Sequence, residues 1–167
     1  VSDITQNLAV LGFLPVLVFG PTVGFHLLHA VLFASIPLLV FLDLKDDDRD
    51  VALVAAGISC LLVGNFSYMF MRSGDTNSVA GVACAALALT GSHAARRGRA
   101  FGLPVLVIGL TLAAYSHAGF LAYAVVYLAL EAIYYRDVRS AVYATVALGI
   151  ALVASLPLTW ELWRYPA

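Results

Sequence analysis

Long apolar runs fill this chain, separated by short polar knots such as DLKDDDRD, RSGDTNS, ARRGR, SHAG and YRDVRS. In hydrocarbon every backbone polar group must be satisfied within its own segment, so apolar runs of this kind read as helices. The pattern predicts seven, over 6–20, 22–44, 51–71, 78–95, 103–117, 119–134 and 141–160. A full membrane crossing takes about 20 residues at 1.5 Å each, so 22–44, 51–71 and 141–160 can cross alone. The runs 103–117 and 119–134 are short for a core of about 30 Å and meet at YSHAGF. They read either as two thin spans or as one broken hairpin. The expected fold is therefore all-α: a polytopic transmembrane helix bundle of about six to seven membrane helices, in one domain over 1–167.

Composition agrees with that class. The chain is 62% hydrophobic and only 11% charged, with a mean hydropathy of +0.95. A soluble domain keeps roughly a quarter of its residues charged. The surface implied here is mostly covered by lipid, so the expected setting is a cell membrane and the first partner is the bilayer. A net charge of −1 gives no electrostatic basis for a nucleic-acid partner. Cys60 and Cys84 fall inside apolar runs and read as small buried residues. The opening VSDITQNLAV lacks the basic segment of a secretory signal peptide. It begins with Val, so either an initiator was removed or the chain belongs to a longer protein.

Charge asymmetry sets the orientation. With seven crossings, one face collects the N-terminus, DLKDDDRD, ARRGR and YRDVRS, and the other collects GP, RSGDTNS, SHAG and the tail ELWRYPA. Of the nine Lys and Arg residues, seven fall on the first face (Lys45, Arg49, Arg96, Arg97, Arg99, Arg136, Arg139) and two, Arg72 and Arg164, on the second. Cytoplasmic loops carry the excess of basic residues, which places the N-terminus in the cytoplasm.

The remaining polar residues are the candidates for chemistry. The acidic DDDRD (46–50) has the ligand type of a divalent-cation site. The favoured reading is nevertheless a solvated helix connection, because the stretch lacks the turn glycine of a calcium loop. His26 and His29 share a helix face at i, i+3. With no third ligand in view, they read as interhelical or headgroup contacts, and His26 lies near the outer face. Asn65 reads as an amide bonded to a neighbouring helix. Glu131, about a turn from the cytoplasmic end, is expected to snorkel or to pair with Arg136 or Arg139. His93 is expected to be wet beside the basic loop. His117 sits in an outer turn beside Ser116 and Gly119. Trp160, Trp163 and Tyr165 form an interfacial aromatic belt, and Pro157 kinks the last helix. In MRSGDTNSVA, Gly74 supplies the turn and Asn77 or Ser78 the cap of the next helix. Arg72 is then left as a basic residue awaiting an anion.

Two resemblances bear on function. From VGNFSYMFMRSGDTNSVAGVACAALAL through RRGRAFGLPVLVIGLTLAAYSHAGFLAYAVVYLAL to SLPLTWELWRYP, the chain resembles the middle of a polytopic GT-C-type glycosyltransferase. That resemblance implies transfer of a sugar from a polyprenyl-phosphate donor on the extracytoplasmic face. No cofactor is expected, a divalent cation at most. It implies Asp75 as base and His117 beside it as catalytic groups. Arg72, Arg164 and His26 would be the contacts to the substrate lipid and its phosphate. The family's catalytic acid lies in a first outer loop, which here is only GP.

The segments HLLHAVLF, LVGNFSY, NSVAGVACAAL and SHAGFLAY resemble, in order, the helices of rhomboid intramembrane proteases. The nucleophile position there reads Ser78-Val79-Ala80-Gly81, so Ala80 stands where the serine belongs and a non-proteolytic relative is implied. A third reading is a small structural subunit, held to other membrane helices or to the rest of a longer chain by small-residue faces such as GVACAALALTG. The readings separate on geometry. A transferase gathers Arg72, Asp75, His117 and Arg164 round one outer cavity, and a rhomboid-like protein sets Ala80 opposite His117. A structural subunit has its polar residues paired or in headgroups.

Overall fold

A computed structural model describes the backbone of residues 15–73, 76–116 and 118–164, and the side chains of 15–64, 78–116 and 119–157. The protein is all-helical, with no strand among the described residues. Helix α1 is described over 15–19. It is followed by α2 (Pro21–Leu44), α3 (Arg49–Ser73), α4 (Thr76–Arg96), α5 (Gly102–Ser116), α6 (Ala118–Tyr135) and α7 (Val138–Arg164). The ends of α2 to α7 lie within four residues of the sequence expectation. Asn77 and Ser78 are helical, inside the first turn of α4 and not at a cap before it.

Among the described residues, three segments are long and apolar enough to cross a membrane: Pro21–Leu44, Ser78–Arg96 and Val138–Pro157. That is fewer than the six or seven expected. The shortfall has a length basis, because α5 at 15 residues rises only about 22 Å. For α3, 25 residues long, the side chains are described only to residue 64.

The chain divides into two compact units, Val1–Ala83 and Cys84–Ala167, with the boundary inside α4. In the first unit, Gly20 takes a φ of 80°, a conformation glycine adopts freely, and Pro21 opens α2 with its fixed φ. The resulting turn brings α1 hard against α2. A Cβ on Gly24 would stand 2.5 Å from the carbonyl carbon of Pro15, which only glycine avoids. α2 and α3 pack along each other, joined by the acidic connection. There the Oδ1 of Asp48 accepts from the backbone N–H of Asp50 (2.9 Å) and of Val51 (3.1 Å), capping α3. His29 is buried, its Nδ1 3.0 Å from the Phe25 carbonyl and its ring edge-on to Phe25 at 4.4 Å. His26 is exposed. The two histidines thus occupy different environments despite their shared spacing.

The second unit is built on close backbone contact. α4 and α5 run antiparallel, with Gly91 against Leu106, Gly102 against Ala95 and Gly109 against Ala88. At each glycine a Cβ would overlap the facing backbone. Leu106 and Leu110, with Ala88, Ala124, Leu128, Ala147 and Ala151, form the buried core. α4 ends where Gly98 adopts φ 72°. The Gly98 N–H then bonds to the Ala95 carbonyl and that of Arg99 to Ala94, each at 2.9 Å. This closure satisfies carbonyls that a helix end leaves open. Near Pro157, which removes the helical donor for Val153, the Tyr115 hydroxyl donates to the adjacent Ala154 carbonyl at 2.9 Å.

α7 begins on an acid-dependent cap. Asp137 accepts from the Ser140 hydroxyl (2.7 Å) and the Arg139 N–H (2.9 Å). The Ser140 hydrogen bond is the main cause that holds its carboxyl below the ordinary aspartate range. A carboxyl that ionises more readily when folded stabilises the fold fully above the ordinary aspartate value, and that contribution fades as pH falls through the lowered one. Hydrogen exchange in the first turn of α7, corrected for intrinsic rate, should therefore accelerate below about pH 4. Asp137→Asn keeps an acceptor and should abolish that dependence.

Candidate functional site

The last turn of α4 reads SHAAR (92–96) and the last two turns of α6 read LALEAIYY (128–135). Ser92 faces Glu131, and Arg96 lies over the Tyr135 ring. The constant offset between these pairs shows that α4 and α6 run parallel. Both helices therefore finish at the same end of their unit, which also carries Arg97, Arg99, Arg136 and Arg139.

There a carboxylate is enclosed by donors. The Ser92 hydroxyl donates to Glu131 Oε2 at 3.1 Å. His93 Nε2 stands 2.9 Å from Oε1, and an Arg96 Nη lies 3.6 Å from the same oxygen. The Glu131 side chain is only 4% exposed, whereas His93 and Arg96 are 14% and 20% exposed. The guanidinium carbon of Arg96 sits 3.7 Å above the centre of the Tyr135 ring, a favourable cation–π distance. The ring of Tyr127 lies 6.5 Å from that of His93. The negative charge is thus inside, with His93 and Arg96 set against it.

Sequence neighbours suggested other arrangements for Glu131 and His93. Glu131 pairs across to α4, and not with Arg136 or Arg139, because those arginines lie beyond the end of its helix. Arg136 breaks that helix with a left-handed φ of 49°. His93 is half-buried and lies against the buried carboxylate. Chemically the group is an ion-pair lock. Its serine hydroxyl donates to the carboxylate inside the same group. Elsewhere in this unit the Cys84 thiol lies 4.0 Å from the Ser116 hydroxyl, which also donates to the Leu112 carbonyl at 2.8 Å.

The residues expected to carry catalysis are placed as follows. Arg72 belongs to the last turn of α3 and Arg164 ends α7, but their side chains lie outside the described residues. Asp75 and His117 lie outside the described residues altogether, as do the side chains of Asn65, Trp160, Trp163 and Tyr165. His26 is described: it is exposed on α2, its ring 6.4 Å from that of Phe25. Ala80, which the rhomboid resemblance would put at the nucleophile position, is buried. Among the described residues no three His, Cys, Asp or Glu side chains gather closely enough to hold a metal ion.

The Ser92–His93–Arg96–Glu131 group was not legible as a unit in the sequence. The available signal was depth, because all four lie within a turn or so of the ends of two helices expected to finish on one face. No known family model, curated protein or solved structure matches this chain.

Proposed function

We propose that this chain is a multi-pass integral membrane protein of six to seven crossings with its N-terminus in the cytoplasm. One observation carries this reading: large apolar side chains stand outward along helices of membrane-spanning length. The candidate spans in α2 and α7 are each only 22% buried. On them Val31 (57% exposed), Leu38 (56%) and Val153 (66%) would be costly in water. The gathering of Arg96, Arg97, Arg99, Arg136 and Arg139 at one end of the second unit supports the orientation. Tyr134 and Tyr135 flank that end as interfacial aromatics do. A cysteine at Thr76 should react with an impermeant thiol reagent added from outside. Labelling only from the cytoplasmic side would overturn the orientation.

For activity, we propose the GT-C-like reading: sugar transfer from a polyprenyl-phosphate donor at the extracytoplasmic face. Asp75 would serve as base and His117 as a second catalytic group. Arg72, Arg164 and His26 would hold the lipid phosphate, with or without a divalent cation. The support is the sequence resemblance. Membranes containing the full chain should transfer sugar from such a donor, and Asp75→Asn should abolish transfer. A second reading, a structural subunit of a larger membrane assembly, draws on the same closed ion-pair group and on the glycine-packed α4–α5 contact. Absence of transfer with unaltered membrane insertion would favour it.

A further inference from the structure

α6 and α7 run antiparallel and pack less extensively on each other than α5 does on α7. Between them runs a groove of about 160 Å³, lined by Val125, Leu128, Ala132, Ala141, Ala144 and Leu148 among others. The wall is apolar throughout but for Thr145, whose hydroxyl donates to the Ala141 carbonyl of its own helix at 2.8 Å. The groove ends at Ala132 and Ala141, one turn short of the α6–α7 connection.

That connection supplies charge. Arg136 is exposed on it and Arg139 is exposed in the first turn of α7. The intervening Asp137 carboxylate is engaged by the Ser140 hydroxyl and the Arg139 N–H. Tyr134 and Tyr135, 80% and 52% exposed, stack edge-to-face at 4.9 Å at the same level. An apolar groove closed to hydrogen bonding thus runs toward the helix ends that carry Arg136 and Arg139, at the depth where aromatic side chains mark a membrane interface.

We infer that this groove is a binding site for an anionic phospholipid, with one acyl chain between α6 and α7 and the phosphate held by Arg136 and Arg139. The inference rests on the membrane reading above. Charge complementarity selects the occupant. Two arginines favour a headgroup with net negative charge over a zwitterionic one, and basic pockets between membrane helices on the cytoplasmic side recognise anionic headgroups. A second copy laid on the same face in parallel would set Arg136 and Arg139 against their own counterparts.

Native mass spectrometry tests it, on the full chain released from bilayers of phosphatidylglycerol and phosphatidylcholine with matched acyl chains. Phosphatidylglycerol should be retained preferentially. At roughly fivefold per arginine, R136Q/R139Q should weaken its retention about twenty-five-fold, while R136K/R139K should keep most of it. Ala144→Leu, which fills the groove, should weaken retention of both lipids. Inorganic phosphate should not displace the lipid.

Equal retention of the two lipids, untouched by the arginine changes, would overturn the inference. So would displacement by inorganic phosphate with no effect of Ala144→Leu, which would mean a bare anion site. A lipid-free dimer that Ala144→Leu dissociates would assign the groove to a second copy instead. Alkaline carbonate separates the two levels. If it strips the chain from membranes, the membrane reading falls and takes this one with it. If the chain stays inserted without lipid preference, the lipid site alone falls.

Discussion

Replacing Glu131 with leucine should destabilise the second unit by about 3–5 kcal/mol, the usual cost of removing one partner from a buried ion pair. The reason is what stays behind. Arg96 and His93 remain close to the protein interior, 20% and 14% exposed, without the carboxylate that balances them. The Ser92 hydroxyl loses its acceptor as well. Glu131→Gln should cost less, because an amide oxygen still accepts from Ser92 while the charge opposite Arg96 is lost. The instructive variant removes the whole group. H93L/R96M/E131L replaces buried charges by apolar side chains of similar size, and such swaps are often neutral or stabilising. Thermal unfolding in detergent should therefore rank the single Glu131→Leu below the triple variant. If the triple unfolds as early as the single, the group acts through something other than mutual charge compensation.

The comparison of these variants also marks where sequence reasoning stops. The helices were legible because an apolar run in lipid has one way to satisfy its backbone, and α2 through α7 lie where the runs do. The short lengths of α5 and α6 were legible for the same reason. The partner of Glu131 was not. Its choice between Arg96 and Arg139 depends on the rotation of α6 about its axis and on the left-handed turn at Arg136. Neither is encoded in spacing along one helix. The small-residue run GVACAALALTG pointed to a close helix contact but not to α5 as the partner, because glycine and alanine permit approach without selecting who approaches. The expected catalytic groups Asp75 and His117 fall outside the described residues, in the two connections where apolar periodicity offers least.

The α4–α5 contact carries the second large effect, and it bears on the first. Gly109→Leu should destabilise the unit by about 3 kcal/mol or more, at or beyond the upper end for overpacked cores. A Cβ there meets the backbone nitrogen and Cα of Ala88, a residue with no exposure, and backbone cannot turn aside as a flexible side chain can. The helices must separate, and with them the dispersion contact that holds helices together in lipid, where no hydrophobic drive does so. Gly91→Leu should act similarly against Leu106. It has a further consequence, because Gly91 precedes Ser92 and His93. Moving α4 outward at Gly91 displaces two of the groups around Glu131, so Gly91→Leu and Glu131→Leu should be less than additive. Gly149→Leu supplies the control: nothing lies within 4 Å of a Cβ at that position on α7, and leucine is the better helix former. Its unfolding temperature in detergent should match or slightly exceed that of the parent chain. Should Gly109→Leu prove as benign as Gly149→Leu, α4 and α5 do not meet backbone to backbone, and the contact that positions the Glu131 group would have to lie elsewhere.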